Sequence, residues 1–218
     1  MTTKTRKLTE SAMLMAVAAV LEIVSKMFIP NLPFGGQVTL CSMLPIVLIS
    51  YRHGVKWGLL CGFCYSFLQM ALGAKTVTAA FQPGYFGEGT MLLNAFLMCA
   101  LDYVAAFTCL GLGGIFRNRI ENRGLSLALG GLVALFARYL CHVLSGYIFF
   151  SGYAEWFFTQ DGFPAWGAAL VNALSPQMLG FTYSAAYNGM YMSLEMIITA
   201  VGALLLAKIP SVVRKQTA

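Results

Sequence analysis

The chain has 218 residues, of which 59% are hydrophobic and only 10% charged, with a mean hydropathy of +0.74. Soluble domains carry charge at about a quarter of their positions, so an ordinary water-soluble domain is excluded. The length accommodates about six membrane helices of roughly 20 residues and leaves no room for a separate soluble catalytic or nucleotide-binding domain. The formal charge of +6 invites comparison with nucleic-acid binders, but its distribution points elsewhere. Lys4, Arg6, Lys7, Arg52, Lys56, Arg117, Arg119, Arg123, Lys208, Arg214 and Lys215 all fall at the termini or in the second and fourth connections, whereas the first, third and fifth carry only Lys75. This is the positive-inside pattern; it expects both termini in the cytoplasm of a multi-pass plasma-membrane protein, with the lipid bilayer as its surroundings and no nucleic-acid partner.

The first apolar run, 8–28, is too long for a signal-peptide core and reads as a retained span that stops at Pro30. Ala12 and Ala16 on its cytoplasmic half are spaced for close approach by another helix, and Glu22 and Lys26 are spaced to pair. A short connection holding Pro33, Gly35 and Gly36 leads to a second span at 38–51, in which Pro45 is expected to cause a bend. After the tight turn Arg52-His53-Gly54 comes a third span, 55–72, with Gly58 and Gly62 four apart. The segment 73–90, with Pro83 and four glycines, reads as a lid or plug. The fourth and fifth spans, 91–116 and 125–150, flank the charged turn 117–123. An aromatic outer segment, 151–176, is suited to the membrane interface, and a sixth span runs over 177–207. The expected fold is therefore all-α, one integral-membrane domain of six spans. The six cysteines lie in apolar stretches, and the Cys61-x-x-Cys64 pair lacks the partners that zinc or redox chemistry needs, so they read as packing thiols.

The last three spans carry polar groups that lipid would not tolerate: Asp102 and Tyr103, Arg138 and His142, Tyr183 and Asn188. An acid or guanidinium near the bilayer centre costs about 2.5–3.5 kcal/mol even on lenient scales, so such groups face a protein interior and mark a site. At 1.5 Å per residue Asp102, Arg138, His142 and Asn188 all lie roughly 12–18 Å below the outer helix ends. Arg138, His142 and Gly146 are four apart and share a face, with Gly146 leaving space for something flat beside His142. The plainer alternative is an Asp102–Arg138 ion pair with His142 and Asn188 as interhelical hydrogen bonds. Matched depth on three helices favours a pocket for a small planar heterocycle. Glu195 lies deeper and is assigned to a helix contact instead. Motifs for hydrolytic or metal chemistry are missing, so no catalytic residue, metal or cofactor is expected.

Five strings in this order resemble a known family: Leu8-Thr9-Glu10 before Ala12 and Ala16, Leu101-Asp102-Tyr103-Val104, Gly111 to Arg117, Arg138-Tyr139 with His142 and Gly146, and Tyr183 to Gly189. They are similar to the substrate-binding membrane subunit, or S-component, of energy-coupling factor (ECF) vitamin transporters, most closely the thiamine-specific one. The resemblance implies a six-helix bundle that binds thiamine from outside. It also implies docking through Ala12 and Ala16 onto a membrane coupling protein, the T-component, driven by two cytoplasmic ATPases. It further implies that Asp102, aided by Arg138, Tyr183 and Asn188, reads the aminopyrimidine, that His142 stacks on the thiazolium, and that Tyr103 lies near the hydroxyethyl end. This chain departs from the family's usual pattern at Asp102 (glutamate), Arg138 (lysine), Phe150 (a stacking tryptophan) and Gly36 (tryptophan), and its third and fifth connections are longer. An S-component for another vitamin or a thiamine precursor is the alternative. Outside that class stand an autonomous proton-coupled carrier using Asp102, Arg138 and His142, and an enzyme acting on a lipid or quinone.

Overall fold

The structure, a computed structural model, describes residues 3–30, 36–86 and 91–213. Pro33 and Gly35 of the first connection, residues 87–90 of the lid segment, and the basic Arg214 and Lys215 lie outside the described residues. All regular elements among them are helical: α1 (Thr3–Phe28), α2 (Leu44–His53), α3 (Val55–Leu72), α4 (Ala74–Ala80), α5 (Met91–Met98), α6 (Ala106–Thr108), α7 (Arg123–Phe150), α8 (Ala154–Thr159), α9 (Trp166–Ala173) and α10 (Pro176–Leu206). Among the described residues five stretches are long and apolar enough to cross a membrane: Lys4–Phe28, Val55–Leu72, Leu92–Gly114, Arg123–Thr159 and Pro176–Leu206. Their outward faces are apolar, with Met13, Val20, Phe67, Phe96, Leu140 and Ile197 among the exposed side chains.

The second expected span takes a different form. α2 begins at Leu44 rather than Val38, and its 10 residues make a rod of about 15 Å, half the hydrocarbon thickness. Pro45 does not bend it. Proline sits in the first turn, where its missing N–H is no loss and its fixed φ suits a helix start. Residues 36–43 instead run as irregular chain, turning at Cys41, whose φ of 59° is left-handed. Every side chain from Leu44 to Tyr51 is buried, so α2 forms the core around which the longer helices pack.

The fourth span is also not a uniform helix. α5 passes into a π-helical stretch at Cys99–Ala105, returns to α geometry in α6, and tightens into a 3-10 helix at Cys109–Gly114, stopping short of residue 116. That last stretch packs against α2, α3 and α7 through main chain. A β-carbon on Gly111 would overlap the backbone of Leu59, and one on Gly130 would overlap the carbonyl of Gly113. The Ser50 hydroxyl locks the junction by donating to the Gly111 carbonyl and accepting from the Gly114 N–H (2.9 Å).

The helix ends follow sequence chemistry. Asn122 accepts the Leu125 N–H (3.0 Å) to start α7, and Ser175 followed by Pro176 starts α10. The segment 73–86 forms α4, and its Phe81, Tyr85 and Phe86 pack with Met98, Phe149 and Phe150. In the aromatic segment 151–176, α8 buries Phe157 and Phe158 while Trp156 and Trp166 remain exposed. At the opposite end Arg52 pairs with Glu10 and donates to the Val212 carbonyl (2.7 Å), and Lys7 lies 4.2 Å over the Trp57 ring, so both termini share an end with the 52–54 turn. His53 also faces Glu10 (3.5 Å); burial lowers its pKa, with the Glu10 carboxylate opposing. The six cysteines are free thiols; Cys61 is buried, but Cys64 is exposed on the outward face of α3 rather than packed inside.

The glycine junction yields a stability test. Gly130→Ala forces a methyl into the Gly113 carbonyl, and overpacking of this kind costs about 1–3 kcal/mol. A lowered thermal-unfolding midpoint in detergent is expected for Gly130→Ala but not for Gly152→Ala, where a β-carbon meets nothing within 4 Å. Equal midpoints for the two variants would contradict the packing described.

Candidate functional site

The polar residues of the last spans converge because the helices that carry them are in contact. α7 and α10 pack along much of their length, and the π stretch lies against α7. A π turn widens the helix and re-aims its side chains, and such turns recur at functional sites. Here the widened turn carries Asp102 and Tyr103. All eight predicted substrate-contacting residues, Asp102, Tyr103, Arg138, His142, Gly146, Phe150, Tyr183 and Asn188, line one cavity of ≈ 280 Å³. That volume is near the lower end for small-molecule sites, about 300–1,000 Å³. The cavity extends from Lys75 and Thr76 on α4 to Glu195.

Asp102 does not form the ion pair with Arg138 that the sequence left open. Its Oδ1 lies 2.8 Å from His142 Nδ1, and its Oδ2 accepts from the Ser145 hydroxyl at 2.6 Å. His142 and Ser145 are three residues apart on α7, so a single face of that helix answers both carboxylate oxygens. With Nδ1 committed to the carboxylate, a neutral imidazole presents Nε2 as an acceptor. That atom is buried and has no hydrogen-bond partner among the described residues.

Arg138 is also buried, at 8% exposure, and its guanidinium sits 4.6 Å over the Phe107 ring. Its Nε and Nη1 have no hydrogen-bond partner among the described residues. Buried donors are normally paired, so the exceptions call for explanation, and two on one cavity-lining guanidinium suit acceptor atoms of a ligand.

Asn188 is held by three contacts from its amide nitrogen, to the carbonyls of His142 (3.2 Å) and Ser184 (2.9 Å) and to the Ser184 hydroxyl (3.3 Å); its oxygen accepts from Tyr191 (2.7 Å). Gly146 acts differently from the expectation that it makes space for a flat group. A β-carbon there would overlap the Ser184 hydroxyl and stand 3.2 Å from Asn188 Nδ2, so the missing side chain is what lets α7 and α10 come together. Tyr183 is buried against Phe157 (5.2 Å between ring centroids) and Tyr187, and Phe150 meets Tyr85 and Phe86 from the connection that follows α4. The walls are thus aromatic, as a planar guest requires.

The assignment of Glu195 to a helix contact alone is corrected. It lines the cavity, because the irregular chain 36–43 enters the bundle and meets it there. The Thr39 N–H and hydroxyl both donate to Glu195 Oε1, at 2.5 and 2.7 Å. The predicted Glu22–Lys26 pair forms (3.1 Å) and also lines the cavity, with the Ser42 hydroxyl donating to Glu22 Oε2 (3.0 Å). Tyr187 and Tyr191, not selected from sequence, complete the α10 wall, and Tyr187 accepts from the Gly36 N–H (3.2 Å). The signal for these was present: residues 187, 188, 191 and 195 recur at helical spacing and share one face.

Ala12 and Ala16, the residues assigned to docking, are both exposed on α1. They lie next to exposed Met13 and Val17 and are not packed inside the bundle.

Comparison with known proteins agrees with this architecture. The sequence model of the family described as "Thiamine transporter protein (Thia_YuaJ)" matches residues 8–214. The thiamine transporter ThiT of Bacillus subtilis (strain 168) is 33% identical over 204 residues, which is 89% of this chain and 86% of that protein. A solved structure of ThiT from Listeria monocytogenes superposes with a TM-score of 0.62 over 98% of this chain and 100% of that one, at 18% identity, a likeness of fold. With a family match that runs from the first span nearly to the C-terminus, this chain belongs to the thiamine transporter protein family.

Proposed function

We propose that the chain is a single membrane domain that captures thiamine from outside the cell and serves as the S-component of an ECF importer, with both termini cytoplasmic. The observation that carries this reading is the cavity itself. Aromatic rings wall it, and buried polar atoms of Arg138 and His142 have no hydrogen-bond partner among the described residues. In this reading Arg138 donates to acceptor nitrogens of the pyrimidine, and Asp102 fixes His142 so that its ring faces the thiazolium. Tyr103, Tyr183 and Phe150 enclose the guest, and Asn188, with Gly146 beside it, fixes the wall. Aromatic faces also attract the cationic ring. Transport would require the coupling protein and two cytoplasmic ATPases, engaged through the exposed face of Ala12 and Ala16.

Purified protein is expected to bind thiamine with one-to-one stoichiometry in titration calorimetry without ATP. Heat from riboflavin, biotin or a folate and none from thiamine would overturn the ligand assignment.

Asp102→Ala removes the partner of His142 and of Ser145 at once. Hydrogen bonds to charged groups are worth about 1.5–3 kcal/mol, so affinity is expected to fall roughly ten- to hundred-fold. The measurement is the same titration on folded variant; an unchanged Kd would remove Asp102 from the site.

Pairing Ala12→Trp with Ala16→Trp separates capture from transport. Because both positions are exposed, the double variant is expected to keep its melting temperature and its thiamine affinity. ATP-dependent uptake in vesicles reconstituted with the coupling module should be lost, because indoles prevent close helix approach. Intact uptake would refute the docking role.

A further inference from the structure

Among the described residues three carboxylates line the cavity, and they differ in what already binds them. Asp102 has a donor on each oxygen, His142 on Oδ1 and Ser145 on Oδ2. Glu22 likewise has Lys26 on Oε1 and Ser42 on Oε2. Glu195 takes both of its donors from Thr39 on Oε1, whereas its Oε2 is buried without a hydrogen-bond partner among the described residues. The residue as a whole is 1% exposed. An unpaired carboxylate oxygen at such a position is costly, and the penalty is relieved by a donor arriving with a guest. Arg138 lines the same cavity and brings two donors without a hydrogen-bond partner among the described residues. Glu195 and Arg138 thus offer one cavity both an acceptor and donors, the complement of an amine and a ring nitrogen.

We infer that Glu195, rather than Asp102, is the carboxylate that reads the exocyclic amine of the aminopyrimidine in this chain, and that it is a specificity-determining residue. This rests on the thiamine reading above. Asp102 is then a positioning residue acting through His142. The aspartate at 102 is one methylene shorter than the family's usual glutamate, and both its oxygens are engaged by α7. The Thr39 donors set the orientation of the Glu195 carboxylate, leaving its second oxygen for the guest.

The test compares thiamine with its 4-oxo analogue, oxythiamine, in which the exocyclic amine is replaced by a carbonyl. The readout is the ratio of the two Kd values on each protein sample, which does not depend on the folded fraction. Wild type is expected to favour thiamine. Glu195→Gln exchanges an acceptor-only group for one that can donate to a carbonyl. It should weaken thiamine about ten- to hundred-fold, leave oxythiamine within about three-fold, and so collapse or reverse the ratio. Asp102→Asn should weaken both compounds together and keep the ratio. A Glu195→Gln ratio equal to that of wild type overturns the inference. So does a collapsed ratio in Asp102→Asn, which decides the matter even if the Glu195 variant does not fold. Wild type that binds neither compound overturns the thiamine reading itself and this assignment with it.

Discussion

A carboxylate inside a bundle surrounded by hydrocarbon has no water to answer it, so its neighbours must supply donors at fixed positions. In this protein Asp102 meets that requirement through His142 and Ser145, which stand on one face of α7. Much else follows from that pairing. The contact fixes the π turn against α7, orients the imidazole, and releases Arg138 from the role of counter-ion that its charge would suggest. The guanidinium settles over the Phe107 ring instead, with donors to spare. The site is thus built by satisfying one acid fully and its neighbouring base incompletely.

That division depends on close packing elsewhere. Gly146 brings α10 against α7, so the Asn188 amide can reach the His142 carbonyl, and the 3-10 stretch at Cys109–Gly114 draws in against α2, α3 and α7 through the buried main chain of its glycines. Small residues serve here as they do between membrane helices in general, allowing backbones to approach where the hydrophobic effect gives little drive to association. The irregular segments sit next to the cavity. The π turn carries Asp102, and the non-helical chain 36–43 brings Thr39 to Glu195. Backbone away from helical geometry at membrane depth is tolerated where protein encloses it, as it does at both places.

The amino-acid sequence disclosed the long spans, the Glu22–Lys26 pair and the convergence of Asp102, Arg138, His142 and Asn188, because hydropathy, i,i+4 spacing and depth are one-dimensional quantities. It was less informative about partners. Asp102 and Arg138 have opposite charges at similar depth, yet helix rotation sets the acid toward His142 and Ser145, and rotation depends on side-chain packing over the whole bundle. Glu195 was placed outside the pocket by depth alone; what brings it in is the descent of residues 36–43, a stretch whose apolar composition reads as helix. Pro45 illustrates the same ambiguity, since a proline that bends one helix starts another a few residues later.

α2 has a consequence for how the molecule is made. A rod of 10 residues with every side chain from Leu44 to Tyr51 enclosed by protein has no lipid-facing surface of its own and cannot span the bilayer unaided. Its ends are tied to the longer α1 and α3, the latter through the single-residue turn at Gly54. It therefore cannot enter the membrane as an independent helix and wait for company. Its burial is supplied by neighbours: α3 joined to it at Gly54, and α1, the 3-10 stretch, α7 and α10 packed against it. For this chain, seating α2 at membrane depth and packing the longer helices around it are therefore coupled requirements.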